Sequence, residues 1–359
     1  MSKQKVVVAM SGGVDSSVAA LLLKKSGYDV IGITMRLWTA HNPDPIAKKS
    51  GCCSVEDVDD ARRVCSLINA PHYYQNFEQQ FKTHVIDYFV KEYKLGRTPY
   101  PCLACNDYLK FRFLLDRAEF LGADFIATGH YARIDTSSEQ YALLQSVDTH
   151  KDQSYALFGL TQKQLRNILL PIGWLKKEEI RTIARKALLP VAEKPDSQDI
   201  CFIPNGDYRE FLSQNGVSPH SGDIVDASGI VIGKHNGIEH FTIGQRKGLG
   251  IAAKKPMYVT ALDAQTNRVI VGCDTDLYEQ IVFAENVNWI SGETPKSPIE
   301  ATAKIRYNSV QAKAEITPTQ GGVYIHFEQP QRAITPGQPA VFYAGEQVLG
   351  GGIIAHKKI

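Results

Sequence analysis

The chain is 359 residues long, with 43% hydrophobic and 22% charged residues and a formal net charge of +2. That length and apolar content support two or three domains around ample core, while the near-neutral balance excludes a uniformly basic nucleic-acid binder and leaves local patches for any such contact. The five apolar residues after Lys5 are too few for a signal peptide or a membrane span, so the expected compartment is the cytoplasm.

The run Val6-Val7-Val8-Ala9-Met10 reads as a buried parallel strand, and Val18 to Leu23 as a helix closed at Gly27. Between them lies Ser11-Gly12-Gly13-Val14-Asp15-Ser16-Ser17. Adjacent glycines let the backbone turn sharply and bring N–H groups to an anion, and Ser11, Ser16 and Ser17 add hydroxyl donors at the positive end of the helix dipole. This predicts a phosphate cradle; the plainer alternative is a helix N-cap without a ligand. The turn lacks the lysine of G-x-x-x-x-G-K-[ST], which argues against transfer of a terminal phosphoryl group. S-G-G-x-D-S closely resembles the loop of the PP-loop ATP pyrophosphatases, which cut ATP between the α and β phosphates and adenylate a substrate oxygen. The resemblance implies an ATP site at Ala9, Met10, Ser11, Gly12, Gly13, Val14, Asp15 and Ser16, with Asp15 helping to hold Mg2+.

Over residues 1–203 short apolar runs alternate with amphipathic segments, the pattern of an α/β, doubly wound parallel sheet. Asp29 to Thr34 is a second strand, and Met35 beyond its end is a candidate wall for adenine, because ligands in such sheets sit past the carboxyl ends of strands. Thr39 to Ser50 reads as a loop over the site, Cys52-Cys53 as packing or capping residues, and Glu56 to Asn69 as a helix with Cys65 in the core. A strand at His72 to Tyr74 and a long helix at Phe77 to Tyr93 follow. Two prolines in Gly96 to Asn106 predict an exposed loop without regular structure. Helix Phe111 to Leu121 and strand Asp124 to Thr128 lead to Gly129, whose missing side chain suits close contact with adenosine.

The seven cysteines, an odd number for a cytosolic chain, point to metal binding, catalysis or burial and not to a disulfide framework. Cys102-x-x-Cys105 has no second C-x-x-C to complete a zinc site and lacks the context of a thioredoxin-like pair, which leaves a distant partner thiol such as Cys201. The motifs S-G-G-V-D-S-S, G-C-C-S near Cys52, P-C-x-x-C-N, A-T-G-H-Y-A-R at Ala127, K-D-Q-S-Y at Lys151 and D-S-Q-D-I-C-F at Asp196 occur in that order. Together they are similar to the tRNA-specific 2-thiouridylases over nearly the whole chain.

The resemblance implies 2-thiouridine formation at the wobble position, uridine 34, of tRNA. ATP adenylates the C2 oxygen, and sulfur arrives as a persulfide on Cys201, loaded by an upstream sulfur carrier or cysteine desulfurase. Cys105 then either attacks that persulfide, freeing hydrogen sulfide and leaving a Cys105–Cys201 disulfide, or attacks the base. Many relatives carry N-P-D-x-x-C-N where this chain has Tyr100-Pro101-Cys102, so Cys102 takes the place of a candidate acid or base. Cys102, Cys105 and Cys201 are also a conceivable ligand set for a [4Fe-4S] cluster. The implied tRNA or target-base contacts are Tyr100, Pro101, Cys102, His130, Lys151, Asp152, Gln153, Arg306, Tyr307 and Gln338.

Leu165 to Ile172 and Lys176 to Ala187 read as helices whose basic residues, Lys177 and Arg181 among them, are available to RNA phosphates. Residues 204–280 read as a small central domain, with a strand at Phe241 to Gly244 entering a basic glycine-rich loop. From residue 281 to 359 period-two runs separated by Pro and Gly turns predict an antiparallel β-barrel that grips the anticodon arm. Two other functions fit less of the pattern: a small-molecule ligase of the PP-loop type, which needs no paired thiols, and a non-enzymatic RNA binder with a vestigial loop.

Overall fold

The computed structural model describes residues 3–38, 55–196, 200–203 and 206–356. The expected loop from Thr39 to Ser50, the Cys52-Cys53 pair and Ser197 to Asp199 lie outside the described residues. The strands of the described residues form three sheets.

The first sheet carries the phosphate loop. Strand β1 (Lys5–Ala9) leads through the glycine turn into α1 (Val14–Lys25), followed by β2 (Asp29–Arg36), α2 (Val55–Leu67) and β3 (His72–Asn76). Strand β4 (Phe125–Ala127), a hairpin of β5 (Ala132–Asp135) and β6 (Ala142–Gln145), and the short β7 (Ile168–Leu169) complete this half. The sheet order is β3-β2-β1-β4-β7, and each neighbouring pair is parallel. Val6, Val7 and Val8 are 0% exposed because helices cover both faces of the central strand, which is why β1 reads as an unbroken apolar run. Parallel pairing by separated segments makes the fold a doubly wound α/β sheet.

Three local readings are corrected. Pro101 does not break structure: it occupies the first turn of a helix, Pro101–Ala104, that continues as a π-helical stretch, Cys105–Phe113, and then Leu114–Phe120. Proline is compatible with a first turn because the N–H it lacks has no intrahelical acceptor there. Cys105 is therefore buried in a helix, not exposed on a loop. Leu165 to Ile172 is not a helix; a single turn, Gln162–Leu165, ends at β7, where Ile168 and Leu169 pair with Ile126 and Ala127. Phe241 to Gly244 forms no strand and instead follows the short 3-10 turn Ile238–His240.

The central sheet holds β8 (Gly222–Val225), β9 (Val231–His235), β10 (Tyr258–Asp263) and β11 (Arg268–Gly272) in the order β10-β11-β8-β9. The last part forms β12 (Tyr278–Trp289), β13 (Ile299–Lys304), β14 (Ala312–Thr319), β15 (Gly322–Arg332), β16 (Pro339–Ala344) and β17 (Gln347–Ile354). These six strands are antiparallel, and pairing of β12 with β17 closes them into a barrel. Alternate side chains such as Val323, Ile325 and Phe327 fill its interior. The β5–β6 hairpin of the first half extends the same sheet through Leu143 opposite Val348. Among the described residues no helix is long and apolar enough to cross a membrane.

Phe202, 1% exposed, is held with its ring 5.5 Å from Phe81, 5.4 Å from Phe89 and 5.1 Å from Phe211. Truncating it removes a large side chain from a site closed on all sides. Phe202→Ala is expected to cost about 3–5 kcal/mol. Denaturant unfolding checks this, and a loss under about 1 kcal/mol would contradict the assigned packing.

Candidate active site

The phosphate loop sits at the point where strand order reverses, since β1 is followed on one side by β2 and β3 and on the other by β4 and β7. Crevices in open α/β sheets lie at this position. Gly12 has φ +72°, and a Cβ on it would run into the Asp57 backbone, so the turn requires glycine twice over. Gly13 caps α1 without a side-chain hydrogen bond, which leaves first-turn N–H groups to face a ligand. Ser17 Oγ donates to the Gly13 carbonyl at 2.7 Å, and the Ser11 and Ser16 hydroxyls lie 3.1 Å apart. Gly129, just past β4, lies against the start of α1: a Cβ would sit 2.6 Å from the Ser16 nitrogen. Met10 and Val14 are buried in one apolar cluster of the sheet and Met35 in the other.

Charges converge on this loop from residues far along the chain. Asp15 accepts from the Tyr131 hydroxyl at 2.6 Å and from Lys177 Nζ at 2.8 Å. Lys177 opens the helix α3 (Lys177–Lys186), which packs on α1 through buried Ile180 and Ala184. Its ammonium also lies 2.7 Å from Asp196, which takes Lys151 at 2.7 Å and Arg181 at 3.2 Å as well. Burial alone would raise the Asp196 carboxyl, but hydrogen bonds from Lys151 and Lys177 hold it below the usual range. Lys194 donates to the Gly12 carbonyl at 3.0 Å and bridges Asp57 and Asp60, both at 2.7 Å. Burial, and then the Asp15 carboxylate, push the Tyr131 phenol far up, so it remains a proton donor. Lys177 and Arg181, expected to face RNA phosphates, turn inward instead. Neither Lys177 nor Lys194 entered the sequence-based ATP site, because 162 residues separate Lys177 from Asp15 and no local pattern records the pairing.

The thiols lie on the other side of the sheet. Cys105 belongs to the larger apolar cluster, and half-buried Cys201 packs against that same cluster. Asn106 Nδ2 donates to the Ala156 carbonyl at 2.9 Å inside the protein and fixes the helix at Cys105. Cys102, one turn earlier, is exposed. Pro101 is buried, and the ring of Tyr100 lies 5.6 Å from Tyr155 and 6.2 Å from Tyr307. Burial first, and Cys102 beside it, raise the Tyr100 phenol far above its usual value.

Several residues expected at the tRNA are tied within the protein. Tyr307 donates to the Asp152 carbonyl at 3.1 Å, and the buried Asp152 carboxylate accepts from Ser146 N at 2.9 Å and Ser154 Oγ at 2.8 Å. Gln153 Oε1 accepts from the Tyr131 N–H at 3.0 Å. Arg306 donates to the Ala333 carbonyl and, at 3.0 Å, to Thr335 Oγ1. Gln338 Nε2 donates to the Thr98 carbonyl at 2.8 Å and so holds the approach to Pro101. His130 is buried, with Thr128 Oγ1 at 2.7 Å from Nδ1 and Lys110 Nζ at 3.4 Å from Nε2. Burial and then Lys110 keep its pKa well below the ordinary value, so the ring is neutral at physiological pH.

Comparison with known proteins bears on this arrangement directly. Residues 4–205 match the tRNA methyl transferase HUP domain, 209–273 the tRNA methyl transferase PRC-barrel domain, and 279–354 the aminomethyltransferase beta-barrel domain. A tRNA-specific 2-thiouridylase MnmA from Clostridium perfringens is 50% identical over 99% of both chains. One from Lachnoclostridium phytofermentans is 49% identical over 98% of this chain and 99% of its own. One from Acetivibrio thermocellus is 49% identical over 99% of this chain and 100% of its own. The chain belongs to the tRNA-specific 2-thiouridylase family.

Nothing among the described residues supports the iron–sulfur ligand set. Among the described residues no three His, Cys, Asp or Glu side chains gather to hold a metal ion, and Cys102 is exposed while Cys105 is buried.

A carboxyl that sequence reasoning missed lies two residues past Cys105. Asp107 is wedged against Gly159, where an added Cβ would lie 2.5 Å from Oδ1, and that oxygen has no hydrogen-bond partner among the described residues. Burial pushes its pKa up to about 7. Between the unfolded value near 4 and that raised value the native state binds more protons, so Asp107 subtracts stability as pH rises and subtracts most above 7. Asp107→Asn is expected to raise Tm by roughly several degrees at pH 8, with a smaller gain at pH 5. Thermal melts at the two pH values check the sign; an equal change at both would contradict it.

Proposed function

We propose that this chain is an ATP-dependent tRNA sulfurtransferase that makes 2-thiouridine at the wobble uridine by adenylating the C2 oxygen and delivering sulfur through Cys201 and Cys105. The observation carrying the chemistry is the packing of both cysteines against one apolar cluster, on a sheet whose switch point holds the phosphate loop. A small-molecule ligase with the same loop has no need of that pair.

The C2 oxygen of uridine is a poor leaving group. It attacks the α phosphorus of ATP, the bond to the β phosphate breaks, and pyrophosphate departs from the open N–H groups at the start of α1. The Asp15 carboxylate is the loop residue suited to hold Mg2+, which when bound offsets phosphate charge. Cys201 carries a persulfide loaded by an upstream sulfur carrier or cysteine desulfurase. The Cys105 thiolate attacks Cys201 Sγ, the sulfur–sulfur bond breaks, hydrogen sulfide leaves, and a Cys105–Cys201 disulfide forms. The sulfide attacks C2 and AMP departs. Two electrons from an external thiol reductant restore both cysteines.

On this reading the tRNA anticodon arm spans the catalytic half and the barrel, and the uridine leaves its stack to reach the loop. Tyr100, Pro101, Cys102, His130, Lys151, Asp152, Gln153, Arg306, Tyr307 and Gln338 then line or support the RNA path, their internal hydrogen bonds fixing the surface it meets. The enzyme works in the cytoplasm, where such tRNAs are found. Its domains are 1–203 for catalysis, 204–280 as the connector and 281–359 as the RNA-gripping barrel.

Incubation with unmodified tRNA, ATP, Mg2+ and a persulfide source, followed by nucleoside mass spectrometry, is expected to show 2-thiouridine. Cys201→Ser and Cys105→Ser should each reduce product at least 100-fold while leaving tRNA-dependent pyrophosphate release detectable. Full thiolation by both variants would remove sulfur transfer through these thiols. Absence of AMP release with every tRNA would remove the enzymatic reading itself.

A further inference from the structure

The 2-thiouridylase loop contains no lysine, yet its reaction discards a multiply charged pyrophosphate. Backbone N–H groups and hydroxyls supply dipoles but no countercharge, and Asp15 in the first turn adds a negative charge. The structure brings two ammonium groups to this place from the far end of the catalytic half. Lys177 Nζ lies 2.8 Å from Asp15 and 2.7 Å from Asp196, with its side chain only 12% exposed. Lys194 Nζ lies 3.0 Å from the Gly12 carbonyl.

Each lysine has more carboxylates than it needs. Lys177 is shared between two, and Lys194 between Asp57 and Asp60. Asp196 loses little if Lys177 turns away, because Lys151 and Arg181 remain within 2.7 Å and 3.2 Å of it. An ammonium that exchanges one carboxylate oxygen for a phosphate oxygen keeps its charge compensated and gains a doubly charged partner. The carboxylates thus hold the cations in reserve at the loop, sparing the apo protein an uncompensated half-buried charge.

We propose that Lys177 and Lys194 are the pyrophosphate-binding cations of this site, held by Asp15, Asp196, Asp57 and Asp60 until phosphate oxygens displace those partners. The assignment rests on the reading that the loop takes ATP, and it adds to that reading the identity of the groups that neutralise the leaving group. It also supplies in space what the loop motif lacks in sequence.

Binding to the full chain without tRNA tests the assignment, by calorimetry with Mg-ATP, inorganic pyrophosphate and AMP as separate probes. Lys177→Gln and Lys194→Gln are each expected to weaken ATP and pyrophosphate about 10-fold or more and AMP less than about 2-fold, as loss of one charged hydrogen bond at the distal phosphates requires. Lys177→Arg should recover most of the loss. Equal weakening of AMP and ATP would reduce the lysines to a structural role, and unchanged pyrophosphate affinity would overturn the assignment. If Lys177→Gln does not fold, Lys194→Gln decides alone. Wild-type protein that binds neither ATP nor pyrophosphate would instead refute the proposed function, which keeps the two failures apart.

Discussion

The Lys177 ammonium sits between the carboxylates of Asp15 and Asp196, and through it the nucleotide loop is tied to a residue 181 positions downstream. The contact is mostly shielded from water, which makes it unlike an exposed ion pair of small value. Removing one partner of such a group leaves a poorly solvated charge, a loss that runs to about 3–5 kcal/mol in buried cases. Three cations around Asp196 and two carboxylates around Lys194 spread that risk over a network. Neither end of the chemistry is therefore placed by its own neighbours in sequence alone.

A second constraint fixes the barrel to the catalytic half. Strand β17 changes partners along its length: Gln347 and Val348 face the β6 strand of the catalytic half, while Gly350 to Ile354 face β12. The change requires close backbone approach. A Cβ on Gly350 would strike the Asn288 carbonyl, and one on Gly351 would lie 2.8 Å from both the Ala340 carbonyl and the Phe158 ring. Tyr155, fully buried, adds a hydrogen bond of 2.7 Å to the Pro339 carbonyl, and Thr98 N–H donates to Pro336 at 2.9 Å. The helix that bears Cys105 is thus braced from the barrel side, so the position of that thiol depends on residues more than two hundred places downstream.

Legibility in the sequence followed how local each cause is. The β1 strand, the glycine turn and the barrel strands depend on period and turn chemistry within a few residues, and they read correctly. Pro101 misled because proline breaks a helix interior yet suits a first turn, and the next residues decide which applies. Ile168 and Leu169 form a strand only because β4 offers an open edge, a fact absent from the run itself. The pairing of Lys177 with Asp15 left no trace in spacing. The roles given to the cysteines rest on resemblance alone, whereas the buried carboxyl of Asp107 lies in a stretch whose periodicity says nothing of Gly159 pressing on it.

The cysteines differ in burial, which bears on what each thiol can do. Cys65 is 0% exposed, its sulfur fills the space a Cβ on Gly32 would take, and burial pushes its pKa up to about 11. At pH 7 about one such thiol in 10,000 is ionised, too few to act as a nucleophile or accept a sulfur. Cys65 is therefore a core residue that happens to contain sulfur. Cys201 keeps partial access to solvent. Cys105 lies deeper, within the apolar cluster against which Cys201 packs. On the proposed function, the more accessible Cys201 suits the thiol that receives sulfur and the deeper Cys105 the thiol that resolves it.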